Sequence, residues 1–330
     1  MARIVYGLGA SHSPMLTLEG KRWSERAADD MRNPSLNTSD GRFVSYAELA
    51  RENGAPYGDV ATEERFLEVE AASQSALDRL ADEIEASAPD VMVVVGDDQQ
   101  ELFSAANMPA VSVYYGERIV MHPFEINERS PSWLGAVTKG YAMDAAHAFP
   151  GHPELALDLI HGLIERDVDV GASARVDDPG KAGFGHAYGF VVERLFKGRP
   201  IPIVPILLNT YYPPNQITAR RCYDIGSALR ASIEASRLNL RVAVAASGGL
   251  SHFIVDDELD QRILGALRAK DARTLRSIPQ AALNSGSSEI RNWIMVGALV
   301  EQLNLMWSEY HPVRRTPAGT GTGVAFASWN

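Results

Sequence analysis

Short apolar, β-branched runs alternate along this chain with longer stretches of helical periodicity. Residues 4–9 read as a strand. Residues 62–86 read as one long helix, with Thr62 as its N-cap and Glu63 and Glu64 in the first turn, where the helix dipole favours acids. Pro89 stops that helix. The run 91–96 (VMVVVG) has no polar alternation, as expected of a strand covered on both faces. The pattern then repeats, with strands expected at 111–115, 168–173, 201–208, 240–246 and 319–329. Helices are expected at 152–166, 186–196, 216–236, 258–269 and 288–305. This order predicts an α/β protein with one layered domain over residues 1–330, a central mixed β-sheet and helices on both faces. Residues 16–60 break the rhythm. They are polar and irregular, and an insertion of that length predicts a lid or a subunit contact.

Charge narrows the function. The 31 Lys and Arg stand against 42 Asp and Glu, a net charge of −11, and the basic residues are scattered. A duplex binder needs a basic patch that displaces counterions, so nucleic acid is not the expected partner. The single cysteine, Cys222, suits a reducing compartment. Apolar runs reach only about eight residues, too short to span a bilayer, and residues 1–10 lack the basic-then-apolar plan of a secretory signal. The expected location is the cytoplasm.

The chemistry is in the histidines. His12 follows the first strand in Ser11-His12-Ser13-Pro14, and His252 follows the 240–246 strand in Ser247-Gly248-Gly249-Leu250-Ser251-His252. The string Asp97-Asp98-Gln99-Gln100-Glu101 follows the VMVVVG strand. Ligands of open α/β sheets bind at the carboxyl ends of strands, so three polar clusters at three such ends predict one site. His147 and His161 fall in helical or surface stretches, while His122, His152 and His311 have no distinct reading.

These residues resemble the class III extradiol ring-cleavage dioxygenases, specifically the catalytic (beta) subunit of the protocatechuate 4,5-dioxygenase type. The motifs that carry the resemblance are Ser11 to Pro14, Gly151-His152-Pro153-Glu154-Leu155, Gly185-His186, Asn209 to Pro214 with Arg221-Cys222, Ser247 to His252, and Gly286 to Leu299. The long 16–60 segment is similar to an elongated gallate-like and dihydroxypyridine-like branch. The resemblance implies an Fe(II) site in which two histidines and one carboxylate share one face of the metal. It implies His12 and Glu289 as metal ligands, and His252 and His186 as the acid/base histidines beside the substrate. It implies a small aromatic substrate, O2, a homo-oligomer and, in many members, a small partner subunit.

One position departs from that pattern. Where the second metal histidine belongs, this chain has Gln99. Either Gln99, Asp98 or Glu101 completes an oxygen-rich site for Fe(II), Mn(II) or another divalent metal, or His122 swings in, or iron is lost. The expected activity is insertion of O2 into a catechol-like or hydroxypyridine-like ring, plausibly carboxylated. The alternatives are a metal-assisted hydrolase or lyase on the same scaffold, or a metal-free binding protein.

Overall fold

The computed structural model describes residues 1–330. Nine strands form one sheet. In chain order they are β1 (Arg3–Ala10), β2 (Val91–Asp97), β3 (Val111–Tyr114), β4 (Gly171–Ser173), β5 (Ile203–Leu208), β6 (Arg241–Ser247), β7 (His252–Ile254), β8 (Leu305–Arg314) and β9 (Thr320–Trp329). Their spatial order is β7-β9-β1-β6-β2-β5-β3-β4, with β8 paired to β9. The centre, β1-β6-β2-β5, is parallel. The β3/β5, β1/β9, β7/β9 and β8/β9 pairs are antiparallel, so the sheet is mixed.

Ten α-helices accompany it: α1 (Trp23–Asp30), α2 (Tyr46–Asn53), α3 (Glu63–Ser87), α4 (Leu134–Gly140), α5 (Pro153–Ile164), α6 (His186–Phe190), α7 (Ala219–Ala235), α8 (Asp257–Ala269), α9 (Ala272–Arg276) and α10 (Ile290–Leu299). No helix is long and apolar enough to cross a membrane. The apolar run of β2 serves two cores. Val91, Val93 and Val95 pack into one with α5, α7, α8 and α10. Met92 and Val94 pack into the other with α3 and the region of α6. A strand's side chains alternate between faces, so a run buried on both sides has no polar face to show.

Two segments differ from the pattern expected of the sequence. The last long helix ends at Leu299, and the chain re-enters the sheet as β8 instead of staying helical to residue 305. Leu303, Leu305 and Met306 prolong the apolar pattern, but pairing along almost the full length of β9 satisfies the backbone from Leu305 onward. Residues 16–60 contain α1 and α2 as well as turns. Trp23, Ala27 and Asp30 form the buried stripe of α1. Arg315, at the end of β8, donates from Nε and Nη2 to Asp30 at 2.8 and 3.1 Å, and Thr320 Oγ1 donates to it at 3.0 Å. Both ion-pair partners are buried. Removing one member of such a pair leaves the other charge uncompensated, at a cost of about 3–5 kcal/mol. Asp30→Ala is therefore expected to lower the chemical denaturation midpoint severely. A loss under about 1 kcal/mol would show that Arg315 finds another acceptor.

Candidate active site

The parallel strands place their carboxyl ends around one point. His12 lies two residues beyond β1, Asp97 ends β2, and Ser247 ends β6. Glu289 is delivered by the 3-10 turn Ser285–Glu289 that leads into α10. That helix is clamped to the sheet. A Cβ on Gly9 would lie 2.3 Å from the Trp293 ring, so β1 and α10 touch only because Gly9 has none. Trp293 Nε1 also donates to Gly248 O at 2.8 Å.

The hydrogen bonds fix the histidine tautomers. His12 Nδ1 lies 3.0 Å from Ser247 Oγ. That hydroxyl spends its own proton on Ala187 O at 2.6 Å, so it accepts from Nδ1–H. His12 Nε2 is therefore a free lone pair. It is buried without a hydrogen-bond partner, although it stands 3.1 Å from Glu289 Oε2. His252 Nδ1 donates to Leu250 O at 2.8 Å and turns Nε2 toward Glu289 Oε1 at 3.3 Å. His186, at the start of α6, pairs through Nδ1 with Glu101 Oε1 at 2.6 Å and turns Nε2 toward Asp97 Oδ2 at 3.9 Å. A Cβ on Gly185 would lie 2.2 Å from the Glu101 carboxyl carbon, so that pair needs glycine beside it.

Three imidazoles thus present Nε2 to two buried carboxylates. Burial would keep Glu289 neutral, but its neighbours His12 and His252 hold it well below the usual carboxylate range. Burial and the nearby Glu289 charge push Asp97 up. Burial disfavours the His186 cation, yet the Glu101 carboxylate, then Asp97 and Glu289, overcome this and raise it to about 10. His252 is raised against its own burial by Glu289.

Ligand atoms of His12, Asp97, His186 and Glu289 all lie within 4.8 Å of one another. Gln99 sits on the edge of this group. Its amide Nε2 donates to Asp97 Oδ2 at 2.9 Å and to Glu289 Oε1 at 3.4 Å. Asp98 turns away and accepts from the backbone N–H groups of Leu102 and Phe103 at 2.8 and 3.2 Å. Its burial and the charge of Glu101 raise it to about 7. Glu101 is engaged with His186 and with the backbone N–H of Gln99. His122 lines the cavity wall, with Nδ1 bonded to Pro179 O at 2.8 Å, outside the four-residue group. Within the 97–101 string the sequence offers Gln99, Asp98 or Glu101 as the ligand and not Asp97. Its signal was its place as the last residue of a buried parallel strand, where open α/β sheets present ligand-binding groups. Asn292, which donates to Ser247 O at 2.7 Å and to Asp97 Oδ1 at 3.3 Å, gave no sequence signal.

These groups open into a cavity of about 890 Å³, within the range of small-molecule sites. Residues 64–324 match the family described as the catalytic LigB subunit of aromatic ring-opening dioxygenase. The chain belongs to this family. That is the superfamily the motifs predict. Among LigB-family relatives, a gallate dioxygenase from Pseudomonas putida is 47% identical over 53 residues, 16% of this chain and 15% of that protein. A 2,3-dihydroxyphenylpropionate/2,3-dihydroxicinnamic acid 1,2-dioxygenase from Mycobacterium ulcerans is 30% identical over 179 residues, 54% of this chain and 48% of that protein. A protein of the same name from Paraburkholderia xenovorans is 31% identical over 149 residues, 42% of this chain and 45% of that protein. The chain spans about half or less of the length of these curated relatives.

Proposed function

We propose that this LigB-family protein is an extradiol dioxygenase that uses a divalent metal, Fe(II) or Mn(II), to open a carboxylated catechol-like or hydroxypyridine-like ring with O2. The observation that carries this reading is the group of imidazole Nε2 atoms aimed at two buried carboxylates. A lone pair 3.1 Å from a carboxylate oxygen, with no proton between them in line, is unfavourable without a cation. The named substrates of the relatives support the ring class, since each is an aromatic acid.

The donors fit a metal. His12 Nε2 is a buried, unpartnered imidazole nitrogen, and Glu289 and Asp97 supply two carboxylates beside it. We take His12, Glu289 and Asp97 as the ligands, with Gln99 bridging the two carboxylates at the position where the resemblance leads one to look for a second histidine. One imidazole and two carboxylates make an oxygen-rich set, which suits Fe(II) and Mn(II) better than softer ions. When bound, the metal lowers the pKa of a coordinated ring hydroxyl and raises electron density at the site for reaction with O2.

The chain's own residues do the rest. His252, fixed by Leu250 O, holds Nε2 where it takes a proton from a ring hydroxyl. His186, oriented by Glu101, holds a proton at the opposite side of the group and returns it as the ring opens. Tyr141 donates to His12 O at 2.5 Å and keeps the ligand's backbone in place. His12, Asp97 and Glu289 are almost fully buried, which strengthens the interactions among them.

The test is oxygen uptake by anaerobically purified, Fe(II)-loaded protein offered gallate, 2,3-dihydroxyphenylpropionate, protocatechuate and dihydroxypyridines. Uptake of one O2 per ring opened is expected, with loss after chelation. Conversion of these rings without O2, by addition of water alone, would move the protein to the hydrolase or lyase reading.

A further inference from the structure

Three Lys and Arg side chains line the cavity: Arg26, Lys181 and Arg315. Two of them are occupied. Arg315 is held by Asp30 and Thr322, and Lys181 is an exposed side chain paired with Asp178 at 3.0 Å. Arg26 makes no such bond. Its Nε is buried without a partner, and its nearest carboxylate oxygen, Asp29 Oδ2, is 3.8 Å from Nη1. Asp29 is itself engaged, accepting from Arg32 at 2.6 Å and from Trp133 Nε1 at 3.3 Å. A guanidinium carries five N–H donors, and leaving the buried Nε donor unmet is costly.

The same guanidinium lies against an aromatic ring. It stacks over the Trp133 ring at 4.7 Å, and Trp133 also lines the cavity. Tyr141 lines the same cavity beside the histidines. Its ring is 5.6 Å from that of His186, its hydroxyl bonds to His12 O, and its charge and that of Arg26 influence each other. The cavity thus holds His12, His186 and Glu289 of the four-residue group and, in its wall, a guanidinium whose buried Nε lacks a partner.

We infer that Arg26 is an anion subsite that receives the carboxylate of the ring substrate as a bidentate pair. The planar guanidinium matches a carboxylate in a way that a lysine ammonium does not. The inference rests on the ring-opening reading for the word substrate, but the site is defined by the guanidinium alone. It also gives the 16–60 segment a role, since α1 carries Arg26 into the cavity wall. Arg32 and Trp23 of the same segment do not line the cavity. Arg32 is an exposed side chain bonded to Asp29, and Trp23 is buried with Nε1 on Leu18 O.

Anaerobic calorimetry on full-length protein tests this with two acid/ester pairs: gallate with methyl gallate, and 3-phenylpropionate with its methyl ester. The second pair has no hydroxyls for a metal to bind. Wild-type protein is expected to prefer the acid in at least one pair by about tenfold or more, the scale of a buried charge-assisted hydrogen bond. Arg26→Gln should remove that preference while leaving ester affinity within about threefold, and Arg26→Lys should restore part of it. Equal binding of acid and ester by the wild type in both pairs overturns the subsite without needing any variant to fold. Equal weakening of acid and ester by Arg26→Gln also overturns it. An Arg26-dependent acid preference with no O2 uptake on any ring would leave the subsite standing and remove the dioxygenase reading.

Discussion

Glu289→Ala is expected to strip the protein of its metal and of all ring-opening activity. Glu289 is buried, and its two oxygens serve four neighbours. One lies 3.1 Å from His12 Nε2 and accepts from Gly249 N–H at 2.6 Å; the other faces His252 and Gln99. Losing a hydrogen-bonding partner behind a metal ligand costs about 10- to 100-fold in affinity, and losing the ligand itself costs more. Metal content after dialysis should fall from about one per chain to a small fraction, with O2 uptake falling in step. Circular dichroism and the melting temperature guard against mere unfolding. A folded Glu289→Ala protein that retains metal with wild-type affinity would sink the ligand assignment.

The sheet was legible because its central strands are buried on both faces and carry no competing period. The run 91–96 leaves no other reading, and the structure extends it by a single residue, Asp97. That residue is one of the two carboxylates in the four-residue group, 3.9 Å from His186 Nε2. What failed was local chemistry overlooked in an irregular stretch. Ser45 and Glu48 form a full capping box, with Ser45 N–H on Glu48 Oε2 at 2.7 Å and Glu48 N–H on Ser45 Oγ at 3.2 Å. That S-x-x-E signature marks a helix start at α2 even in polar sequence. β8 failed for a different reason, since its place is set by pairing with β9, which no local pattern reports.

The candidate site divides in the same way. His12, His252 and the 97–101 string were found by position, because they follow strands beside glycines. Glu289 was found only through the family resemblance, since a lone glutamate before a helix looks like any residue favoured by the dipole. Arg26 carried no signal at all. Its meaning lies in what it lacks, a hydrogen-bond partner, and only a structure shows that.

The second large effect separates Asp97 from Gln99. Asp97 is almost fully buried, and its side-chain hydrogen bonds come from two neutral amides: Gln99 at 2.9 Å and Asn292 at 3.3 Å. Two amides are poor compensation for a carboxylate removed from water, which is why burial and Glu289 push its pKa up. A divalent cation between Asp97 and Glu289 would resolve that conflict, whereas a neutral amide oxygen from Gln99 would not. Asp97→Asn keeps the shape and removes the charge. It should cost about tenfold or more in metal affinity, measured by competition with a chelator of known strength. Gln99→Ala should change that affinity by less than about threefold, because the ligand set keeps both carboxylates and the imidazole. Gln99→His should raise it, by adding an imidazole beside Glu289. The reverse order, with Gln99→Ala losing the metal and Asp97→Asn keeping it, would make the glutamine the third ligand and leave Asp97 as the group that orients its amide.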